Sequence, residues 1–355
     1  MRILAINPGS TSTKVALFED EKLLFELTLR HTAGELSRYG SVLDQFEFRK
    51  EIILNALRDE KIGLSSLDAV IGRGGVVRPI KSGVYEVNET LCHDLRHSPM
   101  GAHASNLGGL IADEIAREAD ARAFIADPVV VDELQPAARV TGIPQIERRS
   151  IFHALNQKAI ARQYAAQQGR KYEAMNLIVA HLGGGISVGA HRRGEVVDVN
   201  NALNGDGPFS PERAGSLPAQ QLADLCFSGA YTAEQIRKML CGEGGMVALL
   251  GTNDMREVIR RMEAGDRQAQ LVIDAMCYNV AKWIGAMAVA LCGEVDAILL
   301  TGGIAYNECI CRAIEEQVSF LAPVAVIPGE NELEALAVNA LQAMRGEIEV
   351  QEYNP

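Results

Sequence analysis

NLIVAHLGGGISVGAHRRGE, residues 176–195, decides how this chain folds. An apolar run enters three consecutive glycines and an alternating segment leaves them, the pattern of a strand, a glycine turn and a returning strand. Gly183, Gly184 and Gly185 can take φ > 0 and carry no Cβ, so backbone N–H groups can converge on one spot and a phosphate can approach them closely. A glycine-rich hairpin can also do no more than turn the chain. What separates the two readings is ILAINPGSTSTKVALF, residues 3–18, which repeats the plan of apolar strand, small polar turn and alternating strand. Two phosphate-type hairpins point to an internal duplication with a nucleotide held between the halves.

With 355 residues the chain can bury a large core and is expected to form two domains. Hydrophobic residues at 48% and charged residues at 23%, with no low-complexity tract, fit an ordinary globular protein. A formal net charge of −12 argues against general nucleic-acid binding, because no excess of Lys and Arg is available to neutralise a phosphate backbone. A strand beginning at residue 2 leaves no room for a secretion leader, so the chain reads as cytoplasmic. The apolar run 275–292 is interrupted by Asn279, Lys282 and Trp283 and reads as a buried helix, not a membrane span. Seven scattered cysteines without a CxxC pair suit reduced core thiols, with Cys309 and Cys311 pointing apart on a helix.

Taken in order, residues 20–29 read as an edge strand and 41–59 as a helix with Phe46, Ile53, Ala56 and Leu57 on its apolar face. Residues 69–71 form a short buried strand that ends at Arg73, a candidate anion ligand at a strand end. His93 and His97 can share a helical face with His103 nearby, but no acidic partner accompanies them and they read as ordinary histidines. Strand 123–126 delivers Asp127 just before Pro128, either as a functional carboxylate or as a turn former. Residues 147–168 read as a helix carrying Phe152 and His153 near its start. The Gly-, Pro- and Asn-rich loop 200–218 is long for a compact domain, and Arg213 is its one base. Strand 295–301 runs into Gly302-Gly303-Ile304-Ala305, where the glycine pair admits a flat ligand such as an adenosine or merely allows tight strand–helix packing. Residues 324–327 read as the last strand and 332–344 as the last helix.

NPGSTSTK, HLGGGISVG, TGGIAYN and ENELEALA, in this order and spacing, resemble the acetate and butyrate kinase family within the actin-like ATPase superfold. IGRGG, DPVVVDEL and ERRSIFHALNQKA are most similar to its butyrate branch. The resemblance spans almost the whole chain. It implies an α/β fold of two duplicated actin-like (ribonuclease H-like, βββαβαβα) domains with an interdomain nucleotide cleft, residues 1–127 plus 336–355 forming one and 128–335 the other. It implies nucleotide and phosphoryl contacts at Asn7, Ser10, Ser12 and Lys14, at His181, Gly183, Gly184 and Gly185, and at Gly302, Gly303, Ile304 and Asn307. Strand alternation independently puts Ser12 and Lys14 on one face, with Val15 and Leu17 on the other.

In the same resemblance Arg73 and Arg213 hold the carboxylate and the transferring phosphoryl group, Asp127 is the catalytic acid near the metal, and His153 steadies the transition state. Glu332, or its neighbour Glu334, is the second acidic group near Mg²⁺. Gly184 stands where acetate kinases usually carry Asn, and their VHGG after the first arginine is replaced here by Gly74-Gly75-Val76. Gly75 and Ala102, with His103 and Phe152, are expected to line an acid pocket roomier than the acetate branch allows. The implied activity is Mg²⁺-dependent, reversible transfer of the ATP γ-phosphoryl group to butanoate by a homo-oligomer, a dimer or higher. Three other readings stay open: a kinase for isobutyrate, propionate or acetate; a hydroxyl-directed kinase with Asp127 as base; and a non-enzymatic nucleotide sensor, which would have no use for Arg73 and Arg213.

Overall fold

The apolar runs of the sequence form the strands. The computed structural model describes residues 1–99 and 101–355. Its first part carries β1 (Arg2–Pro8), β2 (Ser12–Glu19), β3 (Lys22–Arg30), β4 (Ala69–Arg73), β5 (Val84–Glu86) and β6 (Arg122–Ala126). There follow β7 (Asn176–Leu182), β8 (Ile186–Arg192), β9 (Glu195–Val199), β10 (Ala297–Thr301), β11 (Val324–Val326) and, near the end, β12 (Val350–Glu352). They fall into two compact units, Met1–Val131 with Asn331–Pro355 (unit one) and Asp132–Glu330 (unit two).

The sheet of unit one has the order β12-β5-β6-β4-β1-β2-β3, and that of unit two β11-β10-β7-β8-β9. Each contains an antiparallel meander, β1–β2–β3 or β7–β8–β9. Beside its first strand two parallel strands are added, β4 then β6 in unit one and β10 then β11 in unit two. This shared order is the duplication announced by the two hairpins, and it is an α/β architecture of the expected class.

Both faces of each sheet are covered, which is why the parallel strands read as continuous apolar runs. In unit one Leu4, Ile6, Val15, Leu17 and Val70 form a core with residues of the helices Phe46–Asp59 and Asn106–Ala119. The helix Glu332–Met344 packs against β1 and β4. In unit two Ile178, Ala180, Ile186 and Val188 meet the helix Arg267–Ala290. Leu177, Val179 and Leu299 meet Ile160, Ala161 and Ala165 of the helix Ala154–Gln167. Each fully buried Val, Leu or Ile among them contributes about 1.5–3 kcal/mol of hydrophobic stabilisation. Arg267–Ala290 is long and apolar enough by composition to cross a membrane, yet its Val272, Ile273, Met276, Val280 and Ile284 are buried in that core. Cys309 is exposed and Cys311 buried on one helix, as their spacing required.

Three expectations need correction. The helix expected over 147–168 starts only at Ala154, because Arg148 is drawn away to Ala138 O, Asp198 Oδ1 and Val199 O, each at 2.9 Å. The strand near residue 324 is not the last: β12 follows it and pairs parallel with β5. The segment 41–59 opens as a 3-10 turn, Leu43–Gln45, before the α-helix begins at Phe46.

Candidate functional site

In unit one, Asn7, Arg73 and Asp127 stand at or just beyond the carboxyl ends of three neighbouring parallel strands, since Ile6 pairs with Gly72 and Arg73 with Ala126. Such strand ends are where open α/β sheets present ligand-binding groups. The first residue of the helix Glu332–Met344 joins them. Glu332 Oε2 accepts from Asn7 Nδ2 at 2.5 Å and from Arg73 Nη1 at 3.0 Å, and Arg73 Nη1 also reaches Asn7 Oδ1 at 3.4 Å. Three residues remote in sequence thereby form one charge-assisted cluster. Asp127 is 2% exposed and sits at φ 38°, and its Oδ1 accepts from Ser82 Oγ at 2.6 Å and Gly83 N at 2.9 Å. It therefore both shapes a turn and places a buried carboxylate at a strand end.

The first hairpin turn is held from behind by Arg49, a residue sequence reasoning passed over. Its guanidinium is fully buried and donates to Gly9 O at 2.8 Å, Ser12 O and Thr13 Oγ1 at 3.1 Å and Ser10 O at 3.3 Å. The available signal was a charged residue on the apolar stripe that contains Ile53, Ala56 and Leu57. On β2 Lys14 is exposed and Ser12 half-buried, while Val15 and Leu17 lie in the core, as alternation predicts. Ser10 is exposed on the turn. His93 and His97 stack with centroids 3.9 Å apart, and among the described residues no group of three His, Cys, Asp or Glu is placed to hold a metal ion.

The acid-pocket expectation fails at Gly75. A Cβ there would lie 2.5 Å from Asn106 Oδ1 and 2.6 Å from Asn106 Cα, so the missing side chain makes room for a helix start, not for substrate. Asn106 is fixed in turn by Val76 N, which donates to its Oδ1 at 2.8 Å. Ala102 is exposed, and His103 Nδ1 lies 2.8 Å from Ser105 Oγ. Phe152 is 2% exposed and belongs to unit two, whereas Gly75, Ala102 and His103 belong to unit one.

Unit two gathers His153, His181, Arg213 and the glycine hairpin. Gly183, Gly184 and Gly185 all keep φ outside the positive region, contrary to the expectation that they exploit it. Space is what matters instead. A Cβ on Gly185 would stand 2.6 Å from Arg213 Cζ and closer still to Nη1, whereas one on Gly184 would meet nothing nearer than Glu212 Oε2 at 3.8 Å. Arg213 is thus pressed onto the turn. Its Nη1 donates to Ala202 O, and its Nε is buried with no hydrogen-bond partner among the described residues. The loop that carries it is tied down by Ser210 Oγ, which donates to Gly184 O at 2.6 Å, and by Asn200 Oδ1, which accepts from Val188 N at 2.7 Å. His153, just before the helix Ala154–Gln167, stacks on His181 with centroids 3.8 Å apart and planes 11° from parallel.

After β10, Gly302 has φ +91° and a Cβ there would come within 2.8 Å of the Leu182 backbone, so this glycine serves close packing. Gly303 has nothing within 4 Å of its Cβ position and is the open member of the pair. Ile304 is buried, and Asn307 caps the helix Glu308–Val318 by accepting from Ile310 N at 3.0 Å. A groove of about 510 Å³ lies beside them, lined by Ala305, Tyr306, Arg312, Val326 and Pro328 among others.

The acetokinase family profile matches residues 142–331. A probable butyrate kinase of Phocaeicola vulgatus is 58% identical over 355 residues, covering 100% of both chains. Butyrate kinase 1 of Clostridium acetobutylicum is 54% identical over 352 residues, covering 99% of each. The crystal structure of Porphyromonas gingivalis acetate kinase superposes with a TM-score of 0.79 over 96% of this chain and 98% of that one. At 19% identity this last likeness speaks for the fold alone.

Proposed function

The chain belongs to the acetokinase family, and from that membership we propose that it transfers the γ-phosphoryl group of ATP to butanoate, giving butanoyl phosphate and ADP reversibly. Two relatives that align over essentially their full length bear the names probable butyrate kinase and butyrate kinase 1, which supports butanoate over shorter acids. The observation that carries the phosphoryl-transfer reading is Arg213. A guanidinium whose buried Nε has no acceptor among the described residues, packed on a glycine hairpin, is built to receive an anionic oxygen from a ligand.

A carboxylate nucleophile is already an anion, so it needs no general base. Its difficulty is repulsion from the phosphate it attacks. Arg73 draws the acid to the strand ends of unit one, where Asn7 and Glu332 fix its guanidinium. The Gly183 N–H closes the turn on Gly185 O at 3.1 Å, so the backbone N–H groups of Gly184 and Gly185 and the Arg213 guanidinium receive the phosphoryl oxygens, and His153 donates a hydrogen bond to charge that grows in transfer. Gly303 leaves open backbone against which the nucleoside can lie.

Mg²⁺ would supply charge neutralisation between the β- and γ-phosphates. That ion characteristically keeps several waters and takes one or two carboxylates besides phosphate oxygens. Glu332, whose Oε2 is the oxygen bound to Asn7 and Arg73, and Asp127 are the side chains that would hold it. Incubation with MgATP, butanoate and hydroxylamine tests the proposal: butanohydroxamate should accumulate in step with ADP. ADP formed without hydroxamate, or no ADP at all, would refute it.

A further inference from the structure

The two histidines beside the glycine hairpin are the visible end of a buried polar chain in unit two. Ser187, Gly189 and His191 alternate along one face of β8, while Ile186, Val188 and Ala190 face the opposite core. Gln157 lies along that polar face, one helical turn after His153. Its Nε2 contacts Ser187 O at 3.0 Å and Ser187 Oγ at 2.8 Å, and its Oε1 lies 2.9 Å from His191 Nε2. Gly189 leaves space for this amide, since a Cβ there would stand 2.5 Å from Gln157 Oε1. His191 Nδ1 in turn lies 2.7 Å from the Tyr172 hydroxyl.

Hydrogen-bonding capacity fixes the direction of every link. A peptide carbonyl only accepts, so the group on Ser187 O must be the Gln157 NH₂, and the Gln157 oxygen must then face a donor, His191 Nε2–H. His191 is fully buried and neutral, because burial and the nearby Lys158 and Arg162 hold its basicity well below the ordinary range. Its Nδ1 is therefore bare and accepts from Tyr172 O–H. Ser187 Oγ accepts from Gln157 Nε2 at 2.8 Å and from the His153 backbone N–H at 3.5 Å, which occupies both its lone pairs and leaves its own hydroxyl hydrogen for His153 Nδ1, at 2.8 Å. His153 with a bare Nδ1 carries its proton on Nε2.

His181 has the opposite arrangement. Asn156 Nδ2 donates to Gly329 O at 3.3 Å, which turns Asn156 Oδ1 toward His181 Nδ1 at 2.7 Å and places the proton of that ring on Nδ1. Its Nε2 lies 3.5 Å from Glu330 Oε1, so both nitrogens of His181 face acceptors, whereas His153 Nδ1 faces a hydroxyl donor.

We propose that Ser187, Gln157, His191 and Tyr172 are positioning residues that hold neutral His153 in its Nε2–H tautomer, as a fixed hydrogen-bond donor for the phosphoryl group. This rests on the reading of His153 as that donor. A histidine free to exchange tautomers would present a lone pair to an anion for part of the time, which repels where a donor attracts. The chain removes that alternative without placing a charge beside the histidine.

The experiment is ¹⁵N–¹H correlation NMR on histidine-labelled full-length protein, with His153 assigned by its loss in His153→Gln. The parent should show His153 as Nε2–H alone. In Ser187→Ala the signal should become a mixture of tautomers, and kcat should fall about tenfold with both KM values within about twofold, since donor orientation is lost and ground-state binding is not. Tyr172→Phe, which removes one hydroxyl at the far end and keeps the ring, should move the His191 tautomer first and shift His153 partially. A parent His153 protonated on Nδ1, or a tautomer unmoved by Ser187→Ala in a folded variant, would overturn the proposal. A tautomer shift with unchanged kcat would support the lock and refute His153 as the phosphoryl donor, so the two readings fail separately.

Discussion

Replacing Gly185 by alanine should all but abolish turnover, while the same change at Gly184 should leave it nearly intact. Neither residue occupies positive φ, so the backbone tolerates alanine at both and the contrast isolates sterics. At Gly185 the new methyl would stand 2.6 Å from Arg213 Cζ, against a normal carbon–carbon separation of about 3.5–4.0 Å. The guanidinium must retreat by about 1 Å or more. A displacement of about 1 Å in a group that meets the reacting phosphate costs on the order of 10²-fold in rate. At Gly184 the nearest atom is 3.8 Å away, an ordinary contact, and the change should cost under about twofold. The assay is steady-state kcat and kcat/KM with butanoate and MgATP, alongside thermal melts to confirm folding. Gly185→Ala with parental kcat would show that Arg213 need not sit where the structure puts it.

Arg49→Met should keep the helix but strand the carbonyls of Gly9, Ser10 and Ser12, lowering stability by about 2–4 kcal/mol; a urea midpoint equal to the parent's would contradict this. Asp127→Asn keeps an acceptor for Ser82 and Gly83 and suits the left-handed backbone, so it should fold normally while losing about 10²-fold or more in kcat. A variant that unfolds would assign Asp127 a structural role only. His191 stays neutral in the folded protein while the unfolded chain protonates below its ordinary value of 6.5, so its contribution is complete above that pH. Below it, stability should drop by up to about 1.4 kcal/mol per pH unit. Urea melts between pH 7.5 and 5 should show this slope reduced in His191→Gln, and equal slopes would refute it.

The meanders and the parallel strands were legible because their apolar runs are long and uninterrupted and their turns are marked by small polar residues. The strands β5 and β12 were not, since three residues carry no periodicity and each is stabilised by a partner remote in sequence. The start of the helix at Ala154 escaped local reading because Arg148 takes its partners from residues 138, 198 and 199. In the site, Arg73 and Arg213 stood out as lone bases near glycine-rich turns, but what each touches depends on Glu332 and Gly185, far away in the chain. Gly75 shows the opposite error. A missing side chain reads from sequence as space for a ligand, yet here Asn106 fills it. The chain from Tyr172 to His153 left a faint trace, Ser-x-Gly-x-His along a strand and His and Gln one turn apart on a helix. Neither pattern says anything until the two elements are packed together.

The central claim is that a butanoate oxygen attacks the γ-phosphorus of ATP. The most direct measurement is ³¹P NMR of the product formed from MgATP and butanoate labelled with ¹⁸O in both carboxylate oxygens. The product should be an acyl phosphate whose phosphorus signal carries the isotope shift of one bridging ¹⁸O, formed in equal amount to ADP. An acyl phosphate without that shift, or ADP accompanied only by unlabelled inorganic phosphate, would contradict it.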